Sequence, residues 1–267
     1  MTIDKRLVIR NLLAADELYT AFARTTNLPY VVCDPETFND QVYIFRKEED
    51  VKSYVKQQAE QGVALMAIRT FNRQYLNFFG TLVSIGVNTV IYCDDGEMEL
   101  EVDQIVKQPG YDALPKEQRP LMNPQLQLTA IYFLQELRKP GKIEEKQNIR
   151  ELDEELSVNL ARAEYLCPIE MEDKNEEEPE GKRRFRFMLL KNKDGVMYQP
   201  LFTDFIEFQK FGQGNAKIQP LKIPFAKLEK TLMKDAKGYM LNPQSFNLPL
   251  MKEQISMIRR RFDIKEE

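Results

Sequence analysis

The sequence predicts an α/β protein, a mixed sheet with packed helices, built as two similar domains in tandem over residues 1–140 and 146–267. Three observations carry this reading. Residues 63–92 alternate strand, helix and strand at lengths that suit a βαβ crossover. Lys139-Pro140-Gly141 breaks the chain near its middle, as domain linkers do. Short landmarks recur in the same order on both sides of that break.

The elements follow from periodicity. Val8, Leu12, Ala15, Tyr19 and Phe22 step by four and three, which predicts one amphipathic helix over 5–22. The brief β-branched run LPYVVCD reads as a strand stopped by Asp34-Pro35. QVYIFR (41–46) is a second strand, followed by a helix over 48–60 with Val51, Tyr54, Val55 and Ala59 inward. VALMAI (63–68), a helix over 72–85 ended by Gly86, and VNTVIY (87–92) form the βαβ unit. Asp94-Asp95-Gly96 turns the chain, and 97–106 returns as an edge strand. A helix with Leu128, Ile131 and Tyr132 closes the first half.

The second half opens with a helix from about 146, then the strand EYLCPI. The acidic-then-basic stretch around 170–182 has no apolar face and reads as a solvated, mobile hairpin loop. RFRFMLL and VMYQPLF are strands about a turn at Lys193-Asp194-Gly195, and TDFIEFQKF is a short helix. KIQPLKI is a strand, 224–233 a helix entered through Pro224, and YML a last strand before a tail. The repeat rests on Cys33-Asp34-Pro35 matched by Cys167-Pro168, and Asn123-Pro124-Gln125 matched by Asn242-Pro243-Gln244. If it is real, the two Asn-Pro elements occupy equivalent places in the fold.

Gln199-Pro200-Leu201-Phe202-Thr203-Asp204, Leu221-Lys222-Ile223-Pro224-Phe225 and Gly238-Tyr239-Met240-Leu241-Asn242-Pro243 resemble segments of the SseB family, the enhanced serine sensitivity proteins, over about 181–250. The first half resembles it more loosely: Val42-Tyr43-Ile44-Phe45 before Glu48-Glu49 stands where Pro-Leu-Phe-Thr-Asp stands later, and Leu121 to Pro124 stands for the Asn-Pro element. The resemblance implies a small α/β fold. It supplies no catalytic residues.

Composition narrows the function. The chain has no histidine, which excludes Ser-His-Asp and Cys-His catalysis and HExxH zinc chemistry from its own side chains. Catalysis by Asp, Glu, Lys or Tyr stays open. A net charge of −4 gives no field that would gather nucleic acid or an anionic membrane. No apolar run reaches membrane-spanning length and no signal peptide opens the chain, so the expected location is the cytoplasm. Cys33, Cys93 and Cys167 are too widely spaced for a disulfide framework or a CxxC metal site and read as small core residues.

Five residues stand out as a tentative ligand or interaction site: Asp34, Asp94, Asn123, Asp204 and Asn242. Asp34 and Asp94 end strands read as neighbours, so their carboxylates, with Glu36 and Asp95, could converge on a hard cation. Asn123 and Asn242 precede prolines, where an asparagine caps a turn or the next helix at a value of about 0.5–2 kcal/mol. Asp204 reads as a helix cap. No catalytic, cofactor or metal residues are assigned and no cofactor is expected. The preferred reading is a non-catalytic protein-interaction or regulatory module of the bacterial cytoplasm, with an unknown protein partner and neither nucleic acid nor membrane. A histidine-independent enzyme, or a small-molecule sensor using acidic strand ends, is the alternative.

Overall fold

The computed structural model describes residues 4–107, 114–115, 118–146, 148–172, 184–212 and 215–265. The charge run at 173–183 and Gln213-Gly214 lie outside the described residues. The chain is α/β and divides into two compact units, Met1–Arg119 with Gln127–Leu152, and Pro120–Leu126 with Asp153–Glu267. Lys139-Pro140-Gly141, read as the boundary, falls inside the first unit.

The first unit opens with α1 (Lys5–Ala14), capped where the Asp4 carboxylate accepts from Arg6 N at 3.0 Å. The helix expected to run to residue 22 stops at Ala15, which is extended, and the chain continues as strand β1 (Glu17–Ala23). Leu18, Tyr19, Thr20 and Ala21 are all buried. A strand covered on both faces loses its polar alternation, so its apolar run imitated a helical stripe.

Next come β2 (Leu28–Pro29), β3 (Val32–Cys33), β4 (Asp40–Phe45), α2 (Glu48–Glu60) and β5 (Leu65–Phe71). A 3₁₀ turn then leads into α3 (Tyr75–Ser84), β6 (Thr89–Asp94), β7 (Gly96–Glu101) and α4 (Val102–Ile105). Gly86, at φ 88, ends α3 in the left-handed conformation expected of it. β5 pairs antiparallel with β1, β1 antiparallel with β4, β4 parallel with β6, and β6 antiparallel with β7. The expected βαβ neighbours, β5 and β6, are therefore not adjacent. The parallel pair is β4–β6, and its crossover contains α2, β5 and α3. Val51, Tyr54 and Val55 of α2 pack on Tyr19, Phe45 and Leu65 of the sheet. The ring centroids of Tyr43 and Tyr54 lie 5.2 Å apart, a contact of about 0.5–1.5 kcal/mol beyond its buried area.

Helix α5 (Pro124–Leu137) and helix α6 (Ile149–Arg162) lead to the second unit's strands. These are β8 (Glu164–Met171), β9 (Phe185–Phe187), β10 (Leu190–Lys191) and β11 (Met197–Leu201), then α7 (Phe205–Phe211) and β12 (Ile218–Pro224). Helix α8 (Leu228–Thr231), β13 (Gly238–Leu241), β14 (Leu248–Met251) and α9 (Lys252–Arg261) complete it; the last two were read as a tail. β12 pairs antiparallel with β8, β8 meets β11 through an antiparallel bridge between Leu166 and Phe202, β11 is parallel to β13, and β13 is antiparallel to β14.

The order α6, β8, β11, α7, β12, α8, β13, β14, α9 thus follows the order and pairing of α1, β1, β4, α2, β5, α3, β6, β7, α4. The landmarks chosen from sequence do not mark this correspondence. Asn123 precedes α5, after the last strand of the first unit, whereas Asn242 lies between β13 and β14. Cys33 sits in β3, whereas Cys167 sits in β8, the counterpart of β1. The repeat drawn through those residues is corrected. The match of Val42–Phe45 and Glu48-Glu49 to the strand-to-helix step at Leu201–Asp204 does coincide, as β4–α2 and β11–α7.

Candidate functional site

In the second unit the parallel pair β11–β13 ends with Leu201 beside Leu241. Residues immediately beyond two parallel neighbours leave the sheet at the same end, so Thr203, Asp204 and Asn242 meet. The Asn242 backbone N–H donates to Leu201 O at 2.9 Å. Its side-chain oxygen accepts from Thr203 N at 3.0 Å, and its amide donates to Thr203 Oγ1 at 2.8 Å. Thr203 Oγ1 donates to Asp204 Oδ2 at 3.1 Å, and Asp204 Oδ1 accepts from Glu207 N at 2.8 Å, the N-cap of α7 that the sequence predicted.

The network continues outward. Ser245 Oγ donates to Glu207 Oε2 at 2.8 Å, and Lys210 pairs with Glu207 Oε1. Asn123 reaches the same segment: its amide donates to Thr203 O at 2.6 Å and Glu164 O at 2.8 Å. Thr203 and Asn242 are wholly buried, and Asp204 and Glu207 nearly so. Asn242 is left-handed, at φ 45, a conformation asparagine tolerates better than other side chains with a Cβ. Three of the five candidates therefore gather on Thr203 and hold the chain there, Asp204 and Asn242 buried and Asn123 partly so.

The other two do not join each other. β3 is antiparallel to β4 and β4 is parallel to β6, so Asp34 leaves beside the start of β4 and Asp94 beside its end. Five residue steps of β4 separate those ends, roughly 17 Å. The expected convergence of carboxylates is overturned, because strands 32–33 and 89–94 are not neighbours. Asp34 instead builds a turn, accepting from Glu36 N and Thr37 N at 2.8 Å each. Those two backbone donors, Thr37 first, hold its carboxyl below the usual carboxylate range. Asp94 accepts from Tyr92 Oη at 3.4 Å, and its neighbour Asp95 pairs with exposed Lys47 at 3.1 Å. Among the described residues, no group of three or more His, Cys, Asp or Glu side chains is placed to hold a metal ion.

The cysteines divide. Cys167 is buried, and burial pushes its thiol up to about 12. Cys93 is half-buried and is also pushed to about 12, while Cys33 is exposed, against the core reading given to it. A thiol held this high carries little thiolate near neutral pH.

Beside the network lies an open concavity of about 550 Å³. Leu190, Tyr198, Phe211, Met240 and Pro243 give it an apolar lining, and Lys191, Lys193 and Asp194 stand among its polar residues. The network shapes it: Asp204 caps the helix that carries Phe211, and the Asn242 carbonyl accepts from Ser245 N and Asn247 N to fold the loop that carries Pro243. Sequence reasoning found Asn242 and Asp204 but missed the concavity, whose lining comes from five separate stretches of chain. The Thr203 hydroxyl and Glu207 were missed too; the three-residue spacing from the cap at Asp204 to Glu207 was the available signal for Glu207.

Residues 144–257 match the family model described as the SseB protein N-terminal domain. The resemblance read from 181–250 therefore holds, and the match reaches further upstream. No curated protein sequence matches the chain. Among solved structures, Tic22 from Plasmodium falciparum aligns at 12% identity and a TM-score of 0.21 over 97% of this chain and 99% of that one. Anabaena Tic22 (protein transport) aligns at 9% identity and a TM-score of 0.20 over 82% of each. Likeness at these TM-scores carries no argument about fold or function. No helix among the described residues is long and apolar enough to cross a membrane.

Proposed function

We propose that the protein is a non-catalytic protein-interaction module, working in the cytoplasm, whose second unit receives a partner polypeptide in the concavity beside the Asn242 turn. We also propose that the first unit is a divergent domain of the same kind, in tandem with the second. The observation that carries the interaction reading is the division of labour around Thr203. The polar side chains that could have done chemistry bond one another in the interior, while the open concavity next to them is lined by Leu190, Tyr198, Phe211, Met240 and Pro243. Apolar and aromatic lining with a polar rim is what a polypeptide anchor requires.

A photo-crosslinking residue placed at Lys193, compared with one at Lys52 on α2, tests this. A partner captured from the first position and not the second is expected, and the purified pair then rebinds with an affinity that Met240→Lys lowers about tenfold or more. Equal capture from both positions, or rebinding indifferent to Met240→Lys, sinks the reading.

A further inference from the structure

A second groove in the same unit, of about 650 Å³, is lined by Phe187, Lys227, Lys230, Thr231, Leu232, Met233 and Lys234. It shares no lining residue with the concavity beside Asn242. Its chemistry is that of an apolar trough under a row of ammonium groups. Phe187, Leu232 and Met233 are each only partly buried, so they remain available to a ligand. Lys227, in the 3₁₀ turn Phe225–Lys227, and Lys230, in α8, are one helical step of three apart, and Lys234 follows in the turn after the helix; all three are exposed and line the groove.

Among the described residues that line the groove, none is an acid that could neutralise these lysines. The acid nearest in sequence, Glu229, faces away: its carboxylate accepts from Arg259 at 2.6 Å and from Ser256 Oγ at 2.7 Å, both on α9. Asp235 is exposed and does not line the groove. Among the described residues none of the three lysines makes an ion pair, whereas Lys222, earlier in the same segment, is paired with Glu164 at 2.6 Å. Three like charges side by side repel one another, and the repulsion is relieved by an anionic ligand that covers them.

We infer that this groove binds an acidic polypeptide segment of a partner protein, one that sets apolar side chains on Phe187, Leu232 and Met233 and carboxylates on the lysine row. The net charge of −4 tells against a long polyanion such as nucleic acid, which the whole molecule's field repels. A short acidic segment meets only the local field, because screening confines it to about 10 Å at 0.1 M salt. The apolar floor is what a carboxylate-only or phosphate ligand would leave unused. The inference rests on the interaction-module reading, and it concerns a separate surface.

Fluorescence anisotropy on the full chain tests it with a labelled synthetic peptide of alternating glutamate and leucine. Three comparison probes are the same peptide with lysine for glutamate, a leucine-free glutamate peptide, and a single-stranded oligonucleotide. Saturable binding of the Glu-Leu peptide is expected, weakened about tenfold or more by combined Lys227→Glu, Lys230→Glu and Lys234→Glu. Reversal of Lys52 and Lys56 on α2 leaves it unchanged. All three groove lysines are exposed, so a melting curve equal to the parent's separates lost binding from lost fold. Failure to saturate, equal loss on reversing Lys52 and Lys56, or oligonucleotide binding as tight as the peptide's overturns the assignment. Capture of a partner from Lys193 is read independently, so either surface can fail alone.

Discussion

The two parallel strand pairs, β4–β6 in the first unit and β11–β13 in the second, occupy matching places in their own sheets and end very differently. Beyond β11–β13 the chain buries Thr203, Asp204 and Asn242 in a closed set of hydrogen bonds. Beyond β4–β6 it leaves Lys47 and Asp95 as an exposed ion pair. The loops explain the difference. β6 returns through a hairpin so tight that Asp94 pairs with Gly96, whereas β13 and β14 are joined by residues 242–247. A loop long enough to fold over the strand ends buries polar groups, and buried polar groups must be satisfied. A turn of one residue leaves its neighbours in water, where an ion pair contributes about 0–1 kcal/mol. Parallel pairing alone does not make a site; the loop that covers it does.

The largest expected effect tests that contrast directly. Asn242→Ala removes the acceptor for the buried Thr203 N–H and places alanine at φ 45. The expected loss is about 2–4 kcal/mol, above the simple capping value, because the stranded donor is buried and the left-handed strain adds to it. Asp94→Ala, at the corresponding end in the first unit, is expected to fall within about 0.5 kcal/mol of the parent. Denaturation followed by circular dichroism, with hydrogen exchange read at the Thr203 amide, checks both. Equal losses at the two positions would break the comparison.

The second test concerns the start of the same strands. Gly238 opens β13 opposite Met251, and a Cβ built there meets Leu250 O at 2.3 Å and Met251 Cα at 2.9 Å, both backbone atoms. Its counterpart opening β6 is Thr89, which carries a buried side chain opposite Glu101. Gly238→Ala is therefore expected to cost about 1–3 kcal/mol by forcing β13 and β14 apart. Thr89→Ala costs less than that. The measurement is the same denaturation series, and an unchanged Gly238→Ala midpoint would show that the two sheets accept the same spacing.

What the sequence revealed follows from how local each signal is. Helix α2, the cap at Asp204 and the stop at Gly86 were legible because each depends on residues a few positions apart. Strand β1 was misread because Leu18 to Ala21 are buried on both faces and carry no alternation. The βαβ unit was misplaced because the partner of β6 is β4, separated from it by α2 and β5, and no local pattern records that pairing. Asn123 and Asn242 were singled out for their prolines, and both proved to bond Thr203, yet from non-equivalent places in the chain. Asp34 and Asp94 were grouped on an assumed adjacency of strands. The concavity and the lysine row could not be read, since they need β9, α8 and the β13–β14 loop to be folded first.

The smallest effect sharpens the comparison at the helices that follow those strands. In the first unit α4 buries Val102 and Ile105 and packs with α3. In the second, α8 meets α9 with a charged pair, Glu229 and Arg259 at 2.6 Å, beside Ser256. The hydrogen bond from Ser256, and then that from Arg259, hold the Glu229 carboxyl below the usual glutamate range. A carboxyl whose folded pKa is depressed adds stability that is fully present above its unfolded value, about 4.3, and is lost as pH falls through the folded one. Glu229 is about a third exposed, so solvent screening keeps its contribution under about 1 kcal/mol. Glu229→Gln should therefore unfold slightly more easily than the parent at pH 7, and the gap should close as the pH is taken below 4. Val102→Ala, in the first unit, should show a deficit that does not change over that window. Paired melting curves across pH decide it, and a Glu229→Gln deficit that persists in acid would mean the residue acts by packing rather than by charge.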